Sequence, residues 1–227
     1  MSELDAATIE GVGERYDVES MMDVRRRTRL ALRAIAEQCE VGMTERQART
    51  MARDTLDALD LRRGWHPTLV RFGPNTVREF LDRDGGDVRL READIFFIDI
   101  GPVFNELEGD AGETFTTGAD LDFERCARDV RAIWDEVREG WFVHRLSGRR
   151  LYEFAAQRCA ERGWVLNLEL TGHRISDYPH KVHFAGAMSE VELVPSSDLW
   201  VLEIGLAHPN RTYGAFYEDT LLADQSF

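Results

Sequence analysis

Residues 95–100 read Ile-Phe-Phe-Ile-Asp-Ile and are followed directly by Gly101 and Pro102. A short apolar run that ends in a Gly-Pro turn signal predicts a buried strand. Asp99 lies inside this run, and burial of its carboxylate costs free energy unless a partner or a cation compensates. If the strand turns Asp99 to solvent, no compensation is needed. The run by itself leaves both interpretations open.

A second carboxylate, Asp110, follows eleven residues after Asp99. The connection from Gly101 to Gly109 is suited to reversing the chain, and residues 113–118 resemble a partner strand. Strands paired in a hairpin lie about 5 Å apart, so the two carboxylates would be neighbours. Facing carboxylates repel each other unless a cation lies between them. The pair therefore indicates a metal site.

Three later segments add side chains that can bind metal. Residues 172–180 read Gly-His-Arg-Ile-Ser-Asp-Tyr-Pro-His, which places His173 directly after a glycine. Glu203 lies in the apolar run 200–207, and Glu218 lies in the strand-like run 215–222. Taken singly, Glu203 and Glu218 can also be exposed strand residues, and His173 can also be a hydrogen-bonded loop residue. Taken together, the carboxylates and the imidazole suit two transition-metal ions that share bridging ligands.

The rest of the chain predicts a mixed α+β domain. Apolar spacing predicts helices from Val18 to about Glu40, over 121–143 and over 147–162. Thr44 and Gln47 have the spacing of a capping box, which predicts a further helix start after Gly42. Strand-like runs cover 66–76, 164–171, 200–207 and 215–222. Because helices and strands do not alternate regularly, the pattern favours α+β over a doubly wound sheet.

Charge and cysteine content exclude several classes of function. The 227 residues include 42 acidic and 28 basic side chains, a formal net charge of −14. Such a field repels phosphate backbones and anionic bilayers, so nucleic acid and membrane are not expected partners. No apolar run approaches the roughly 18 residues of a membrane-spanning helix. Three cysteines without a CxxC spacing suit a reducing cytoplasm.

The order and context of the five candidate ligands resemble the superfamily of methionine aminopeptidases, Xaa-Pro aminopeptidases and creatinases, the pita-bread metallopeptidases. The chain is most similar to small, single-domain Xaa-Pro aminopeptidase-like members. The resemblance spans about residues 20–222 and rests on Asp99 and Asp110, then a Gly-His pair, then Glu203, and last Glu218 in a Glu-Asp-Thr context.

The resemblance implies a role for each of these residues. Asp99 would chelate one ion, Asp110 and Glu218 would bridge two ions, and His173 and Glu203 would complete the other shell. The implied cofactor is a pair of divalent ions, for which manganese, iron, cobalt and zinc all fit. His180, seven residues after His173, would be the catalytic histidine that steadies the tetrahedral intermediate.

The resemblance also implies the architecture. The expected fold is a curved, antiparallel-rich sheet of six strands flanked by helices in two pseudo-symmetric halves. The resemblance implies a single pita-bread catalytic domain over residues 18–227, and the weak periodicity at the start of the chain predicts a flexible N-terminal arm over residues 1–17.

Two departures concern the substrate. The superfamily usually has a histidine a few residues beyond the stretch that matches 73–75, but residues 76–80 here read Thr-Val-Arg-Glu-Phe. His66 lies upstream, where it either takes over this substrate contact or only begins a strand. Arg174 replaces the glycine that normally follows the metal histidine. An arginine beside the metal would favour an anionic substrate, so His66 and Arg174 are the candidate substrate-binding residues.

The implied function is dinuclear, metal-dependent hydrolysis of an amide bond by a metal-bridging hydroxide. An Xaa-Pro-like aminopeptidase that acts on short peptides in the cytoplasm fits best, and a homodimer is compatible with the sequence. One alternative is a non-peptidase member, creatinase-like or biosynthetic, that cleaves a C–N bond of a small molecule. The other is a non-catalytic binding module, which the retention of five ligands disfavours.

Overall fold

The computed structural model describes residues 5–61, 63–79, 82 and 86–223. Its helices are α1 (Ala6–Ile9), α2 (Val18–Ala36), α3 (Glu45–Ala58), α4 (Leu121–His144) and α5 (Gly148–Glu161). Its strands are β1 (Arg63–Gly64), β2 (Leu69–Phe72), β3 (Asp94–Ile100), β4 (Pro102–Phe104), β5 (Leu107–Glu108), β6 (Ala111–Thr117), β7 (Val165–Asn167), β8 (His173–Arg174), β9 (Trp200–Ala207) and β10 (Gly214–Thr220). Short 3₁₀ turns cover Gly73–Val77, His180–Val182 and Met188–Glu190.

A seven-stranded antiparallel sheet forms the centre of the fold. Six of its strands follow the order β2-β3-β6-β10-β9-β7, and β8 pairs with β9. A second, three-stranded sheet has the order β1-β4-β5. The observed architecture confirms the α+β class with an antiparallel sheet flanked by helices. The predicted strand 95–100 is β3, and its predicted partner is β6, which pairs with β3 along its whole length.

Among the described residues there are three apolar cores, and the two larger ones lie between the helices and the large sheet. One core joins α4 and α5 to β9 and β10, and its buried members include Trp134, Leu151, Trp200, Ile204 and Tyr217. The other joins α2 and α3 to β2 and β3, and its buried members include Leu32, Ile35, Leu56, Phe72 and Ile98. Full burial of one large apolar side chain contributes about 1.5–3 kcal/mol. The cores therefore hold the strands that carry the candidate ligands in fixed register.

Local signals place most element boundaries where the sequence predicts them. The Thr44 hydroxyl accepts a hydrogen bond from the Gln47 amide (3.2 Å), and the Gln47 side chain accepts one from the Thr44 amide (2.9 Å). This capping box begins α3. The strand predicted over 164–171 is shorter than expected, because only Val165–Asn167 pairs with β9. The residues that follow form one wall of a pocket.

The segment expected to be an arm contacts the body of the protein at several residues between Ile9 and Tyr16. Ile9 is buried in the core of α4 and α5. The Glu10 carboxylate accepts hydrogen bonds from the Trp200 indole (2.7 Å) and from Ser196. Residues 1–4 of the arm lie outside the described residues, and the mobility of the arm stays a prediction. Among the described helices, none has the length and apolar character needed to cross a bilayer.

Candidate metal centre

One row of residues crosses four neighbouring strands and carries three carboxylates. Asp99 of β3 lies opposite Gly112 of β6. Gly112 in turn lies opposite Glu218 of β10, and Glu218 lies opposite Glu203 of β9. Residues that face each other across antiparallel strands present their side chains on the same face of the sheet. The register therefore gathers Asp99, Glu218 and Glu203 on one face.

Gly112 leaves open the space between two of these carboxylates. A Cβ atom at this position would lie 2.8 Å from Glu218 Oε1 and 2.5 Å from a ring carbon of Phe216. Such contacts are shorter than van der Waals packing allows, so a side chain here would displace its neighbours. The absence of a side chain at Gly112 thus leaves space between the carboxylates of Asp99 and Glu218.

Asp110, just before β6, lies between two histidines. His66 Nε2 is 3.2 Å from Asp110 Oδ1 and 3.5 Å from Asp99 Oδ1. On the other side, His173 Nε2 is 2.9 Å from Asp110 Oδ2. The ligand atoms form two groups, His66 with Asp99 and Asp110, and Asp110 with His173 and Glu218. Asp110 belongs to both groups.

The donor set fits bound cations. Asp99 Oδ1 and Glu218 Oε1 are buried and have no hydrogen-bond partner among the described residues, and the buried Asp110 Oδ2 lies 2.9 Å from His173 Nε2. His173 Nδ1 lies 2.6 Å from the Arg174 carbonyl. Since a carbonyl only accepts, Nδ1–H donates to it, and the lone pair of neutral His173 is on Nε2, which faces Asp110. Carboxylate oxygens and an imidazole lone pair that face one another in a buried site are stabilised by a positive charge between them, which a proton or a metal ion can supply.

Burial shapes the pKa values of the carboxylates. Burial, with added repulsion from Asp110 and Glu203, raises the pKa of Asp99 to about 7. Burial also raises the pKa of Glu203, and burial with repulsion from Asp110 and Asp99 raises the pKa of Glu218 well above its usual value. Burial acts in the same direction on Asp110, but His173 and His66 outweigh it and lower the pKa of that carboxyl to about 2.

The carboxylates in turn raise the pKa values of the two neighbouring histidines, His66 and His173. Burial opposes their protonation, but the neighbouring carboxylates outweigh it and raise the pKa of both His66 and His173 to about 9. For His66 the main opposing charge is Asp99, and for His173 it is the hydrogen bond to Asp110 followed by the charge of Glu203. Without metal the centre thus holds protons. A metal ion competes for the same atoms, so its binding releases protons.

A pocket of about 240 Å³ opens onto the centre, and all five predicted ligands line it. His66 and His180 line it as well, together with Trp65, Lys181 and the loop segments 169–172 and 185–187. The Trp65 ring contacts the rings of His66, His173 and His180 edge-on, with centroids 4.4, 4.9 and 5.1 Å away. Trp65 follows no pattern in the sequence that would mark it as part of a site.

His180 is held by a carboxylate that the sequence analysis does not identify. Its Nδ1 atom lies 2.6 Å from Glu108 Oε2, and its amide donates to Glu108 Oε1 at 3.2 Å. The ring stacks on His173 at a centroid distance of 5.5 Å. Burial is the main cause that lowers the pKa of His180. The only sequence signal for Glu108 is its position two residues before Asp110.

Arg174 does not face the pocket, which corrects the expectation that it binds substrate. Its side chain is buried, and its guanidinium donates to the carbonyls of Ile9 (3.0 Å), Gly11 (2.8 Å) and Leu199 (2.6 Å). Successive residues of a strand point to opposite faces, so the strand position that turns His173 toward Asp110 turns its neighbour away. Phe80, the last residue of the stretch in which the resemblance expects a histidine, lies outside the described residues.

Comparison with known proteins shows the family and the fold. The family model described as metallopeptidase family M24 matches residues 19–225. Among curated protein sequences, none matches the chain.

Several solved structures share the fold. An X-Pro aminopeptidase from Thermotoga maritima matches with a TM-score of 0.73 and 18% identity over 92% of this chain and 59% of that one. A prolidase from Pyrococcus furiosus matches with a TM-score of 0.75 and 18% identity over 94% and 62% of the two chains. A dipeptidase from Pyrococcus horikoshii matches with a TM-score of 0.75 and 18% identity over 98% and 62%. This chain therefore spans about three fifths of the length of these proteins, and the likeness confirms the pita-bread fold.

Proposed function

The chain belongs to metallopeptidase family M24, and we propose that it is a dinuclear metal-dependent hydrolase that cleaves an amide bond. The observation that carries this proposal is the position of Asp110, whose two oxygens face different groups of ligand atoms. A carboxylate placed in this way can bridge two ions. Metal dependence is a property of the family, and the number of ions and their identity are part of the proposal.

We keep the ligand assignment that the resemblance implies. Asp99 would chelate one ion, Asp110 and Glu218 would bridge both ions, and His173 and Glu203 would complete the shell of the other. Oxygen ligands with an imidazole suit Mn²⁺, Fe²⁺, Co²⁺ and Zn²⁺. When bound, such ions supply the Lewis acidity that polarises an amide carbonyl and the charge that lowers the pKa of a water molecule.

The remaining pocket residues would position the substrate. His180 donates from Nδ1 to Glu108, which leaves Nε2 as the ring nitrogen that can meet the reacting group. Because burial lowers its pKa, His180 is neutral at pH 7 and available for proton transfer. Trp65 packs against all three histidine rings and excludes water from that side of the pocket.

Short peptides are the proposed substrates, in particular those with an Xaa-Pro bond. The family is one of peptidases, and the solved relatives include an X-Pro aminopeptidase and a prolidase. A pocket of about 240 Å³ suits one or two residues rather than a folded protein. A reducing cytoplasm is the proposed location, supported by three free cysteines, and the homodimer stays a prediction.

A second candidate is hydrolysis of a small C–N substrate that is not a peptide. The observation that favours it is Lys181, the single lysine of the chain, whose Nζ lies 5.8 Å from the centre of the Trp65 ring. A cation at the pocket would attract a carboxylate-bearing small molecule.

A substrate panel on the metal-loaded protein tests both candidates. The protein is stripped of metal, loaded with Mn²⁺, Co²⁺ or Zn²⁺, and assayed on Xaa-Pro dipeptides, Xaa-Pro tripeptides, other dipeptides and small non-peptide amides. We expect hydrolysis of an Xaa-Pro bond that depends on metal, is lost in Asp110→Asn, and is kept in the surface control His144→Ala. Turnover confined to non-peptide amides would support the second candidate. No turnover with any metal would contradict both.

A further inference from the structure

His66 has the position of a metal ligand. Its Nε2 atom lies 3.2 Å from Asp110 Oδ1 and 3.5 Å from Asp99 Oδ1. In octahedral or tetrahedral coordination, each ligand atom lies about 2.0–2.2 Å from the ion. Two neighbouring ligand atoms are then about 3.0–3.5 Å from each other. Both distances match this spacing. An ion held by Asp99 and Asp110 would therefore lie within bonding distance of the imidazole.

The orientation of the ring favours the same role. His66 Nδ1 lies 2.9 Å from the Pro67 carbonyl, which can only accept, so Nδ1–H donates to it. The lone pair of the neutral ring is then on Nε2 and faces the two carboxylates. Metal-binding histidines characteristically fix their tautomer through such a bond from the other ring nitrogen. His173 has the equivalent bond to the Arg174 carbonyl at 2.6 Å.

The surroundings hold the imidazole in this place. The side chain is 8% exposed and packs edge-on against Trp65 at a centroid distance of 4.4 Å. The Trp65 indole is itself fixed, since its N–H donates to the Gly109 carbonyl at 2.9 Å. A Cβ on Gly101 would lie 2.1 Å from both His66 Cδ2 and Nε2. The glycine two residues after Asp99 thus leaves the room that the ring occupies.

We propose that His66 Nε2 is a sixth ligand of the centre and binds the ion that Asp99 and Asp110 hold. This inference rests on the dinuclear centre proposed above and assigns His66 to the metal instead of the substrate. Each ion then has one imidazole, His66 on the Oδ1 side of Asp110 and His173 on the Oδ2 side. A nitrogen ligand strengthens the binding of Co²⁺ and Zn²⁺ relative to Mn²⁺.

The count of metal-bound imidazoles tests the proposal directly. In the Co²⁺-loaded protein, each coordinated histidine whose other nitrogen carries a proton gives one solvent-exchangeable N–H resonance shifted far outside the normal proton range. We expect two such resonances from wild type with two equivalents of Co²⁺, one from His66 Nδ1–H and one from His173 Nδ1–H. A single resonance in protein that holds two Co²⁺ overturns the role of His66 and leaves the dinuclear centre standing.

A variant pair gives a second readout. In His66→Ala we expect one shifted resonance to disappear and one of the two Zn²⁺ equivalents to bind about 10–100-fold more weakly, measured by competition with a chromophoric chelator. The control His144→Ala changes an exposed histidine at the end of α4 and should keep both resonances and both affinities. Unchanged resonances and Zn²⁺ affinities in folded His66→Ala overturn the proposal. Wild type that binds no Co²⁺ overturns the proposed function itself. If His66→Ala does not fold, the number of shifted N–H resonances in Co²⁺-loaded wild type still decides whether His66 is a ligand.

Discussion

Glu203 and Glu218 lie directly opposite each other on neighbouring antiparallel strands, and both carboxylates are buried. Like charges placed opposite each other in this way destabilise a sheet, and burial adds a desolvation cost. A proton or a cation relieves both costs. The raised pKa values of Glu203 and Glu218 reflect these costs, and a bound metal ion would relieve them in place of protons.

The stability of the metal-free protein should fall as the pH rises. The pKa of His66 and of His173 is about 9 in the folded state, against about 6.5 in an unfolded chain. Their protonation therefore contributes stability that is complete below pH 6.5 and is lost as the pH rises through 9. The raised pKa of Asp99, about 7, acts in the same direction from pH 4 upward.

Urea unfolding of the metal-free protein at pH 6 and pH 9 measures this effect. We expect a lower midpoint at pH 9, and a smaller difference with saturating Zn²⁺, because bound metal keeps the ligands deprotonated at both pH values. The added stability from Zn²⁺ should consequently be larger at pH 9. Metal-free protein that is more stable at pH 9 than at pH 6 contradicts the described charge state of the centre.

Gly112→Ala should impair both metal binding and stability. The new methyl group would lie 2.8 Å from Glu218 Oε1 and 2.5 Å from the Phe216 ring, and overpacking of this kind costs about 1–3 kcal/mol. Isothermal titration with Zn²⁺ and urea unfolding measure the two effects. Gly205→Ala in β9 is the matched control, since the three atoms nearest to its Cβ belong to Asn167 and the closest lies at 3.2 Å, and metal affinity should be kept. Equal Zn²⁺ affinity in the two variants would argue against a ligand role for Glu218.

Glu108→Gln should lower the catalytic rate without loss of metal. The carboxylate binds His180 Nδ1 at 2.6 Å, and its charge raises the pKa of His180 against the larger effect of burial. Removal of that charge should decrease kcat by about 10-fold or more and move the acidic limb of the pH–rate profile to lower pH.

Glu106→Gln is the control for this variant. Glu106 lies in the same hairpin, but it is 45% exposed and pairs with Arg15 and Arg63 on the surface. Its replacement should leave kcat and the pH profile as in wild type. A Glu108→Gln enzyme with normal kcat and an unmoved acidic limb would show that Glu108 does not act through His180.

Asp219→Asn should destabilise the fold through the residue next to Glu218. Asp219 binds Arg25 through two bonds of 2.7 and 2.8 Å and also binds Arg29 at 3.2 Å. The carboxylate is 3% exposed and the two arginine side chains are 19% and 13% exposed. Loss of one member of a buried ion pair costs about 3 kcal/mol. Urea unfolding should show a loss of this size.

Asp122→Asn supplies the comparison. Its pair with Arg211 has a similar length, 3.0 Å, but both side chains are about half exposed. A surface pair of this kind contributes about 0–1 kcal/mol. Losses of equal size in the two variants would contradict the anchoring of β10 to α2 through Asp219.

Much of the fold and most of the candidate ligands follow from local patterns. The apolar runs 95–100 and 200–207 each contain a single carboxylate, and the combination of Asp99 and Glu203 with Asp110, His173 and Glu218 indicates a metal site. The capping box at Thr44 predicts the start of α3. These features depend on a few consecutive residues, so the sequence contains them directly.

Sequence patterns miss or misplace some residues of the site, because the positions of these residues depend on strand register and on contacts between distant segments. Glu108 meets His180 across 72 positions of the chain, and no local pattern predicts that contact. Arg174 was expected in the pocket because it follows His173, but strand alternation turns it to the opposite face. His66 reaches the centre because Gly101, 35 positions later, has no side chain, a relationship that exists only in three dimensions.

The most direct test of the dinuclear centre is the number of ions bound per chain. Metal-free protein is dialysed to equilibrium against Co²⁺ or Zn²⁺, and the bound metal is measured by elemental analysis in wild type and in Asp110→Asn. The account predicts about two equivalents in wild type and the loss of both from tight binding when Asp110, the shared ligand, is changed. Wild type that binds no metal, or Asp110→Asn that still binds two equivalents with unchanged affinity, would contradict it.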